Sequence, residues 1–575
     1  MNINRLILIT ILFSSITGCI FDEDSDDSDS SDDSTSIDDI NLNNKGLKAC
    51  IDKKIEEEGL ISPSEVISLT CNGESTPSKT SSSKSDSYRN YSTQNSASLK
   101  SSDEITITSC DGLDEFSELE SLEINNQEII ECDISNNLKL RTISLYNNLI
   151  VDLDISNNLY LTYLNVSFNA ITSLDLSKNV NLSSVYINNN QIDYLDTSAN
   201  TYLEYFSAEN NLLSSINVSA NTMLTEIDLS NNKVTSIDLS YNTDLSSADL
   251  SDNRLEDLDV SYNTMLVSLY VDNNELDSVN INYNTILDSL SLSDNNFDSI
   301  NINYNTYLTD IDLSGNALSY IDLNYNTLLS SLDISDNDLT DINIQYNTLL
   351  LTMDLNNNQL SSLNVDVNTF LETLDVSDNK LEELELTLNT AIITLDISDN
   401  AIDDIQLTNN TALIYLDSSS NDLDSLDLSS NTILETLYAS DNALSDVILS
   451  ANTGIINIDL SSNEINDLDL STNTLLEDLD VSHNDVSNLS LSSNSFIMAL
   501  DCSDNALESI DIDSLSSLND LTCSNNNIES FDTSENDNPA LDDVDLSNNP
   551  LDTESKEGLE SAKTDNGGWI DDVDY

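Results

Sequence analysis

Positively charged residues are scarce in this sequence: 17 Lys and Arg residues stand against 105 Asp and Glu residues, for a net charge of −88 over 575 residues. A nucleic-acid-binding surface needs clustered Lys and Arg to neutralise phosphates. Only six basic residues lie between Leu119 and Asn538, so nucleic acid is excluded as a partner. Cationic partners and dissolved divalent cations are compatible with the charge.

The sequence also has very little histidine and no closely spaced pair of cysteines. The chain has one histidine, His483, and no Cys-x-x-Cys motif, so neither a nucleophile with its base nor a zinc site can be assembled convincingly. We therefore expect a protein that is not an enzyme. A polysaccharide-acting enzyme that uses paired aspartates is kept as an alternative, although catalysis needs singular carboxylates with perturbed pKa values.

Glycine and proline are few, at 10 and 4 residues, which excludes a collagen-like chain and a Pro-rich linker protein. Residues 1–18 have the features of a signal peptide, with Arg5 before an apolar stretch that is too short to span a bilayer. No later apolar run reaches ~20 residues, so no transmembrane helix is expected in the mature protein.

The segment Ile16-Thr17-Gly18-Cys19 resembles the lipobox of bacterial lipoproteins. This resemblance implies lipid on Cys19, membrane attachment through that lipid and a place in the cell envelope. By the enterobacterial sorting rule, Ile20 in place of Asp after the cysteine favours the outer membrane or the cell surface. An ordinary secretory signal, with a cysteine there by chance, is the alternative.

Composition and periodicity divide the remaining chain. A stretch of almost only Asp and Ser predicts a disordered tether. Apolar residues with helical spacing, followed by apolar residues with strand spacing, predict a cap. A later Ser-rich stretch, in which apolar residues show no period, predicts a disordered insertion. The segments are a signal peptide (1–18), an acidic tether (19–41), an N-terminal cap (42–72), a Ser-rich insertion (73–103), a solenoid (104–551), and a C-terminal cap with an acidic tail (552–575).

From Leu119 to Asn538 the sequence repeats every 21 residues, twenty times, without an insertion. We number the positions of each repeat 1 to 21 from its leading Leu or Ile. Apolar residues recur at positions 1, 4 and 6 and again at 11, 14 and 16, so each repeat has two near-identical halves with strand periodicity. A unit this short buries its apolar face only against its neighbours. The pattern predicts a mostly β, right-handed solenoid, roughly 95 Å long, with two extended segments per coil and a short N-terminal helical cap.

Asparagine fills position 9 in every repeat but the first, and position 19 in every repeat but one. An inward-facing amide offers two hydrogen-bond donors and an acceptor. Because buried polar groups need partners, we expect these asparagines to bind the turn backbone of their own and the neighbouring coil.

The pattern LxxLxLxxNxL is the leucine-rich-repeat signature, and the full 21-residue unit resembles the repeats of bacterial internalins and related adhesins. The resemblance covers 420 residues, from Leu119 to Asn538. It implies a leucine-rich-repeat solenoid in a bacterial surface lipoprotein, but it says little about the ligand, because such repeats present many unrelated ligands. The cell-wall sorting motif of internalins is absent, so host invasion is not carried over.

Export of the chain permits disulfides. Cys50 in the cap helix and Cys71 in the cap strand form the best candidate pair. Four other cysteines are expected to face the core, where Cys behaves as a small apolar residue. We expect free thiols at Cys110, Cys132, Cys502 and Cys523.

Aspartate recurs at position 5 and, less continuously, at position 15. Stacked about 5 Å apart on successive coils, these carboxylates repel one another. One interpretation is a solvated face that relies on salt. The other is a series of weak calcium sites, because oxygen-rich surfaces suit Ca²⁺, although no EF-hand loop is present. Calcium is the one cofactor that the sequence allows, with candidate ligands Asp312, Asp333, Asp354, Asp375, Asp396 and Asp417.

Tyrosine fills position 18 in six consecutive repeats, at Tyr241, Tyr262, Tyr283, Tyr304, Tyr325 and Tyr346. Tyrosine gives large contact area at small entropic cost and is enriched in recognition surfaces. An exposed aromatic ladder that binds a protein or glycan is therefore one hypothesis. Tyrosines that arose by repeat duplication and stack on one another are the alternative.

These features together favour a non-enzymatic, lipid-anchored surface recognition protein or adhesin, expected to be a monomer. Its ligand, a protein or a glycan, would bind the faces of the solenoid. A calcium-stabilised structural rod of the cell envelope is the main alternative function.

Overall fold

The computed structural model describes residues 44–60, 62–73, 106–531, 541–562 and 572–575. The signal peptide, the lipidation candidate Cys19, the acidic tether and most of the Ser-rich insertion lie outside the described residues. The segment boundaries proposed from the sequence for those parts stay predictions.

Short strands, one per coil, form one parallel sheet along the molecule. In the repeats each strand covers positions 3 to 5, with position 4 buried between two more exposed neighbours. The strands of this sheet are β1 Ser68–Thr70, β2 Ser121–Glu123, β3 Thr142–Ser144, β4 Tyr163–Asn165, β5 Ser184–Tyr186, β6 Tyr205–Ser207, β7 Glu226–Asp228, β8 Ser247–Asp249, β9 Ser268–Tyr270, β10 Ser289–Ser291, β11 Asp310–Asp312, β12 Ser331–Asp333, β13 Thr352–Asp354, β14 Thr373–Asp375, β15 Thr394–Asp396, β16 Tyr415–Asp417, β18 Thr436–Tyr438, β20 Asn457–Asp459, β21 Asp478–Asp480, β22 Ala499–Asp501, β23 Asp520–Thr522, β24 Asp543–Asp545 and β25 Asp572–Asp574.

Neighbouring strands pair with an offset of one repeat. Asp333 of β12 lies beside Asp354 of β13, and Asp354 lies in turn beside Asp375 of β14. Residues at the same repeat position therefore form a column along the sheet. The mostly β solenoid with a short N-terminal helix, predicted from the 21-residue period, is confirmed.

The second half of the repeat differs from the first in its hydrogen bonding. Among the described repeats, only β17 (Leu426–Asp427) and β19 (Val447–Ile448) pair as strands there. In many coils the Asp or Asn at position 15 instead accepts a hydrogen bond from the backbone N–H two residues later, as Asp238 does from Ser240 at 3.0 Å. Asp427 makes the same bond with Ser429 at 2.9 Å although it lies in β17, so this bond alone does not prevent strand pairing. Ile448 is the one residue at position 15 without a polar side chain.

The core is one continuous apolar column, filled by positions 1, 4, 6, 11, 14 and 16. The asparagines beside it bind the backbone, as expected. At position 9, Asn295 donates to the carbonyl of Val271 at 2.9 Å and accepts from the backbone N–H of Leu276 at 3.0 Å. At position 19, Asn284 donates to the carbonyls of Val260 and Asn263 at 3.0 and 2.8 Å.

The acceptor oxygen of the position-19 amides departs from the expectation. In the described coils this buried Oδ1 generally has no hydrogen-bond partner, as at Asn284 and Asn305. Asn221 is the exception, because the hydroxyl of Thr197 donates to it at 2.8 Å. Thr197 takes position 16, where every other repeat except the last, which has Thr533, has an apolar residue. With that exception, the described position-19 asparagines hold the turns through their donors alone.

Both ends of the solenoid carry helices. Helix α1 (Lys45–Glu58) begins after Asn44, whose side chain accepts from the N–H groups of Gly46 and Leu47, and ends at Gly59 with φ of 69°. Helix α2 (Thr553–Ala562) follows β24. Single-turn 3₁₀ helices cover Pro63–Glu65 and Leu113–Glu115.

The cysteines form three disulfides in the described residues. Cys50 pairs with Cys71, the pair favoured by the sequence. The expectation of free thiols at the other four was wrong, because Cys110 pairs with Cys132 and Cys502 with Cys523. Coil stacking explains the error. It brings the Cα atoms of these pairs to 4.6 and 4.7 Å, within bridging range.

Candidate binding surfaces

The six aspartates singled out at position 5 line the outward face of the sheet. We call this column the acidic strip: Asp312, Asp333, Asp354, Asp375, Asp396 and Asp417. They are aligned strand by strand and each is partly buried. The structure thus brings all six candidate residues together in one row.

Each carboxylate of the acidic strip is held by the turn that follows its strand. Oδ1 of Asp375 accepts from the backbone N–H and hydroxyl of Ser377 at 3.0 and 2.7 Å. Asp333 has the same two bonds to Ser335, at 3.1 and 2.6 Å. The sequence analysis missed these position-7 serines, although Ser recurs there in most repeats. Their bonds fix the carboxylates before any ligand arrives.

Burial on the sheet face changes the acidity of several aspartates. It raises the pKa of Asp396 to about 6, and the carboxylates of Asp375 and Asp417 add to the effect. Burial raises the pKa of Asp272 to about 6, and that of Asp249, beside Asp228, to about 7. Serine hydrogen bonds oppose these shifts but do not cancel them.

A shallow groove of ≈ 300 Å³ follows the acidic strip from Ser331 to Tyr415. In its own column the strip is followed directly by Tyr438, and it is separated from Tyr270 by Ser291. The rings of Tyr415 and Tyr438 meet edge to face, with centroids 5.8 Å apart. The groove is therefore acidic along its length and aromatic at its carboxy-terminal end.

At position 15 the aspartates form one shorter row, in four consecutive coils from Asp133 to Asp196, and these four are exposed. Asp238 and Asp259 are exposed, and each accepts a hydrogen bond from the backbone N–H of the serine two residues later, at 3.0 and 2.9 Å. Hydrogen bonds from the side chains of these serines, and then from their backbone N–H groups, lower the pKa of both aspartates. Across the described ranges, no group of three or more His, Cys, Asp or Glu side chains is arranged to hold a metal ion. Calcium binding stays a prediction.

The six position-18 tyrosines are between 51% and 58% exposed. None of the three aromatic ring pairs found in the described residues joins two of them. The alternative in which these tyrosines stack on one another is therefore not what the structure contains. Each ring stands separately at the surface.

A second exposed column, at position 21, was missed by the sequence analysis. It carries apolar or aromatic side chains between 36% and 59% exposed, at Met265, Ile286, Tyr307, Leu328, Leu349 and Phe370. Its residue types vary from coil to coil, which hides the column in a search for identical residues. Only their shared apolar character is a signal in the sequence.

Few other described residues are candidates for a functional site. His483 is exposed, with Nε2 3.7 Å from the carboxylate of Asp504. No helix in the described residues has the length and apolar character needed to cross a membrane.

Comparisons with known proteins agree with this architecture. The Leucine Rich repeat family matches residues 157–178, 220–241, 325–342, 367–383 and 472–493. No curated protein matches the chain.

Several solved structures share the fold. The functional domain of InlJ from Listeria monocytogenes, which includes a cysteine ladder, is 27% identical, with a TM-score of 0.52 over 57% of this chain and 70% of that one. YopM from Yersinia enterocolitica is 24% identical, with a TM-score of 0.53 over 76% and 87%. The plant peptide hormone receptor RGFR1, in complex with RGF2, is 18% identical, with a TM-score of 0.61 over 82% and 94%.

Proposed function

We propose that this chain, an internalin-like bacterial leucine-rich-repeat protein, is a non-enzymatic recognition protein that binds a protein partner on its sheet face. The observation that carries the proposal is the acidic strip. Six carboxylates stand in adjacent coils, and the turn backbone holds them in place. Preorganised groups lose little freedom on binding.

The acidic strip selects for a positively charged partner. Two like charges about 4 Å apart repel by about 1 kcal/mol in water. A cation bound between neighbouring carboxylates of the strip relieves this repulsion. The net charge of −88 draws cationic partners from a distance. A Lys- or Arg-rich segment of a protein, laid along the groove with the Tyr415 ring at one end, fits this surface.

Substitutions that remove the negative charge test this docking surface. The variant Asp333→Asn, Asp354→Asn, Asp375→Asn should bind a labelled deca-lysine peptide about tenfold more weakly than the native chain, because three ion pairs at the protein surface contribute about 0.2–1 kcal/mol each. Fluorescence anisotropy at physiological salt measures the change.

A matched control removes the same charge elsewhere. Asp238→Asn, Asp259→Asn, Asp469→Asn alters three exposed position-15 aspartates whose capping role an amide oxygen can retain. Binding of deca-lysine should change less than twofold, roughly as expected for screened charges away from the site. Equal losses in both variants would attribute the binding to diffuse charge and refute the docking surface.

Surface display is the finer part of the proposal. The lipobox-like segment ending at Cys19 and the Asp- and Ser-rich tether that follows it support a lipid-anchored adhesin at the outer membrane or cell surface. Mass spectrometry of the mature amino terminus should find lipid on Cys19, and Cys19→Ala should release the protein from the membrane fraction. An unmodified Cys19 would remove the anchor and leave the binding role to stand alone.

A calcium-stabilised rod is the alternative use of the same carboxylates. Millimolar Ca²⁺ would then raise the melting temperature well above the value reached with NaCl of equal ionic strength. Equal melting temperatures in the two salts would exclude the calcium-stabilised rod.

A further inference from the structure

One edge of the solenoid carries no charge over five consecutive coils. It comprises positions 17 to 21, with the sequences SYNTM, NYNTI, NYNTY, NYNTL and QYNTL at residues 261–265, 282–286, 303–307, 324–328 and 345–349. We call these residues the neutral strip. Positions 17 to 21 are uncharged again in six coils, from residues 387–391 to 492–496, so the row of tyrosines distinguishes these five coils on an edge that is neutral within a chain of net charge −88.

The neutral strip exposes two columns of apolar and aromatic side chains. The tyrosines at position 18 are at least 51% exposed, and the residues at position 21 at least 36%. The position-20 threonines between them are also exposed. Exposed apolar surface that continues over several coils is typical of a binding site.

Buried asparagines hold this edge in shape. In each segment the position-19 Asn is fully buried, and its amide donates to two carbonyls of the preceding coil, as Asn305 does to Ile281 and Asn284 at 3.0 and 2.8 Å. The turns on either side of this Asn carry the two exposed columns. The ring faces and hydroxyls of the strip are therefore presented on a fixed frame.

The tyrosines themselves have no partners in the described chain. No ring contact joins two of them, and we find no hydrogen bond from their hydroxyls to described residues. Five of them, at the strand spacing, span about 19 Å. This regular row of free aromatic faces has hydroxyl and amide groups of Thr, Asn, Ser and Gln beside it.

We propose that the neutral strip binds a neutral, linear polysaccharide that lies along the row of coils. Aromatic rings pack against the C–H faces of sugar rings, while hydroxyls and amides exchange hydrogen bonds with sugar hydroxyls. A repeated protein surface matches a ligand made of repeated units. This proposal extends the recognition role proposed above to a second surface and names the class of ligand there.

The charge of the protein argues against other occupants. Acidic polysaccharides and a second copy of this chain are repelled by the net charge of −88. Basic segments have a more favourable site in the acidic strip. A folded protein does not require the same anchor in five successive coils, since interfaces concentrate their energy in a few residues.

Calorimetric titration of the full chain tests the proposal. The probes are hexasaccharides of glucose, xylose, mannose and N-acetylglucosamine, with an oligogalacturonate as the acidic comparison. At least one neutral hexasaccharide should bind, more tightly than its disaccharide, while the oligogalacturonate should not. The variant Y262S/Y283S/Y304S/Y325S/Y346S should weaken that binding at least tenfold, which corresponds to about 1.4 kcal/mol.

Two controls make the result specific. Tyr194→Ser with Tyr320→Ser removes tyrosines that are 69% and 66% exposed outside the strip, and should leave glycan binding unchanged. The five-tyrosine variant should melt like the native chain and keep its affinity for deca-lysine, so that failure here is separable from failure at the acidic strip. The proposal is overturned if no neutral hexasaccharide binds, if the five-tyrosine variant binds as well as the native chain, or if only a protein ligand depends on these tyrosines.

Discussion

Replacing Asn295 with alanine should destabilise the solenoid far more than the same change at its neighbour Asn296. Asn295 is buried at position 9. Its amide donates to the carbonyls of Val271, Leu292 and Ser293 and accepts from the N–H of Leu276. The side chain of Asn296 is exposed. The two substitutions remove the same atoms from adjacent residues, so their difference isolates the buried contacts.

The magnitude follows from the groups left without partners. The carbonyl of Leu292 keeps a bond from Asn316 at 3.0 Å. The carbonyl of Val271 likewise keeps a bond from Asn274 at 3.0 Å. Only the N–H of Leu276 loses its one partner. A buried orphan costs about 1–3 kcal/mol, so Asn295→Ala should lower the free energy of unfolding by about 1–3 kcal/mol. Asn296→Ala should change it by less than about 0.5 kcal/mol, as is usual for exposed sites.

Urea denaturation followed by circular dichroism gives both values. Hydrogen exchange gives a local check, because the amide of Leu276 should exchange faster in Asn295→Ala and unchanged in Asn296→Ala. A difference between the two variants smaller than about 1 kcal/mol would contradict the view that buried amides hold the coils together, since it falls below the cost of one orphaned group.

Three further predictions concern the interior and the sheet face. Thr197→Val removes the hydroxyl that bonds Oδ1 of Asn221 and should cost about 1 kcal/mol in urea denaturation; no loss would mean that this oxygen needs no partner. Replacing both Cys502 and Cys523 with alanine opens a disulfide with a sequence separation of 21 residues and should cost about 3 kcal/mol, measured in the same way without reductant; an unchanged midpoint would contradict it. The pKa of Asp249, raised to about 7 in the folded chain from 3.8, means that the folded state binds the extra proton, so its contribution to stability is greatest in acid and is lost as pH rises through about 7. The melting temperature, measured from pH 5 to 8, should therefore fall as pH rises, and Asp249→Asn should make this dependence weaker. An unchanged pH dependence in the variant would refute the assignment to this residue.

The sequence predicted the strands and core because a 21-residue period puts each residue above its counterpart in the next coil. The same reasoning should have identified the Cys502–Cys523 disulfide, since both residues take position 6 of adjacent repeats. Treating cysteine as a small apolar residue concealed it. The sparse pairing in the second half of the repeat was harder to foresee, because its apolar spacing equals that of the first half. Both halves make the same local bond, as Asp238 does with Ser240 and Asp375 with Ser377, so neither apolar periodicity nor these bonds account for the difference.

The exposed columns were only partly predictable for a related reason. Identical residues, such as the tyrosines at position 18, stand out in a sequence. The column at position 21, from Met265 to Phe370, shares only its apolar character and its exposure, and exposure requires coordinates. The raised pKa of Asp396 depends on burial within the sheet face, which the sequence does not give.

The fold does not require the residues of either strip. Tyr270 and Tyr438 occupy position 5 in coils that stack as well as those with Asp312 or Asp375, and Ala451 occupies position 18 where other coils have tyrosine. The buried asparagines, by contrast, recur in nearly every coil because the turn backbone needs their donors and, at position 9, also their acceptor oxygen. Shape is thus set inside the solenoid, and the outward columns are free to vary. Runs of six aspartates and six tyrosines at positions of such freedom therefore reflect either recent duplication or a ligand. For the tyrosines, the five-tyrosine variant distinguishes the two explanations. If duplication alone explains the row, every binding measurement should be unchanged. If a ligand explains it, the variant should fold normally and lose one class of partner.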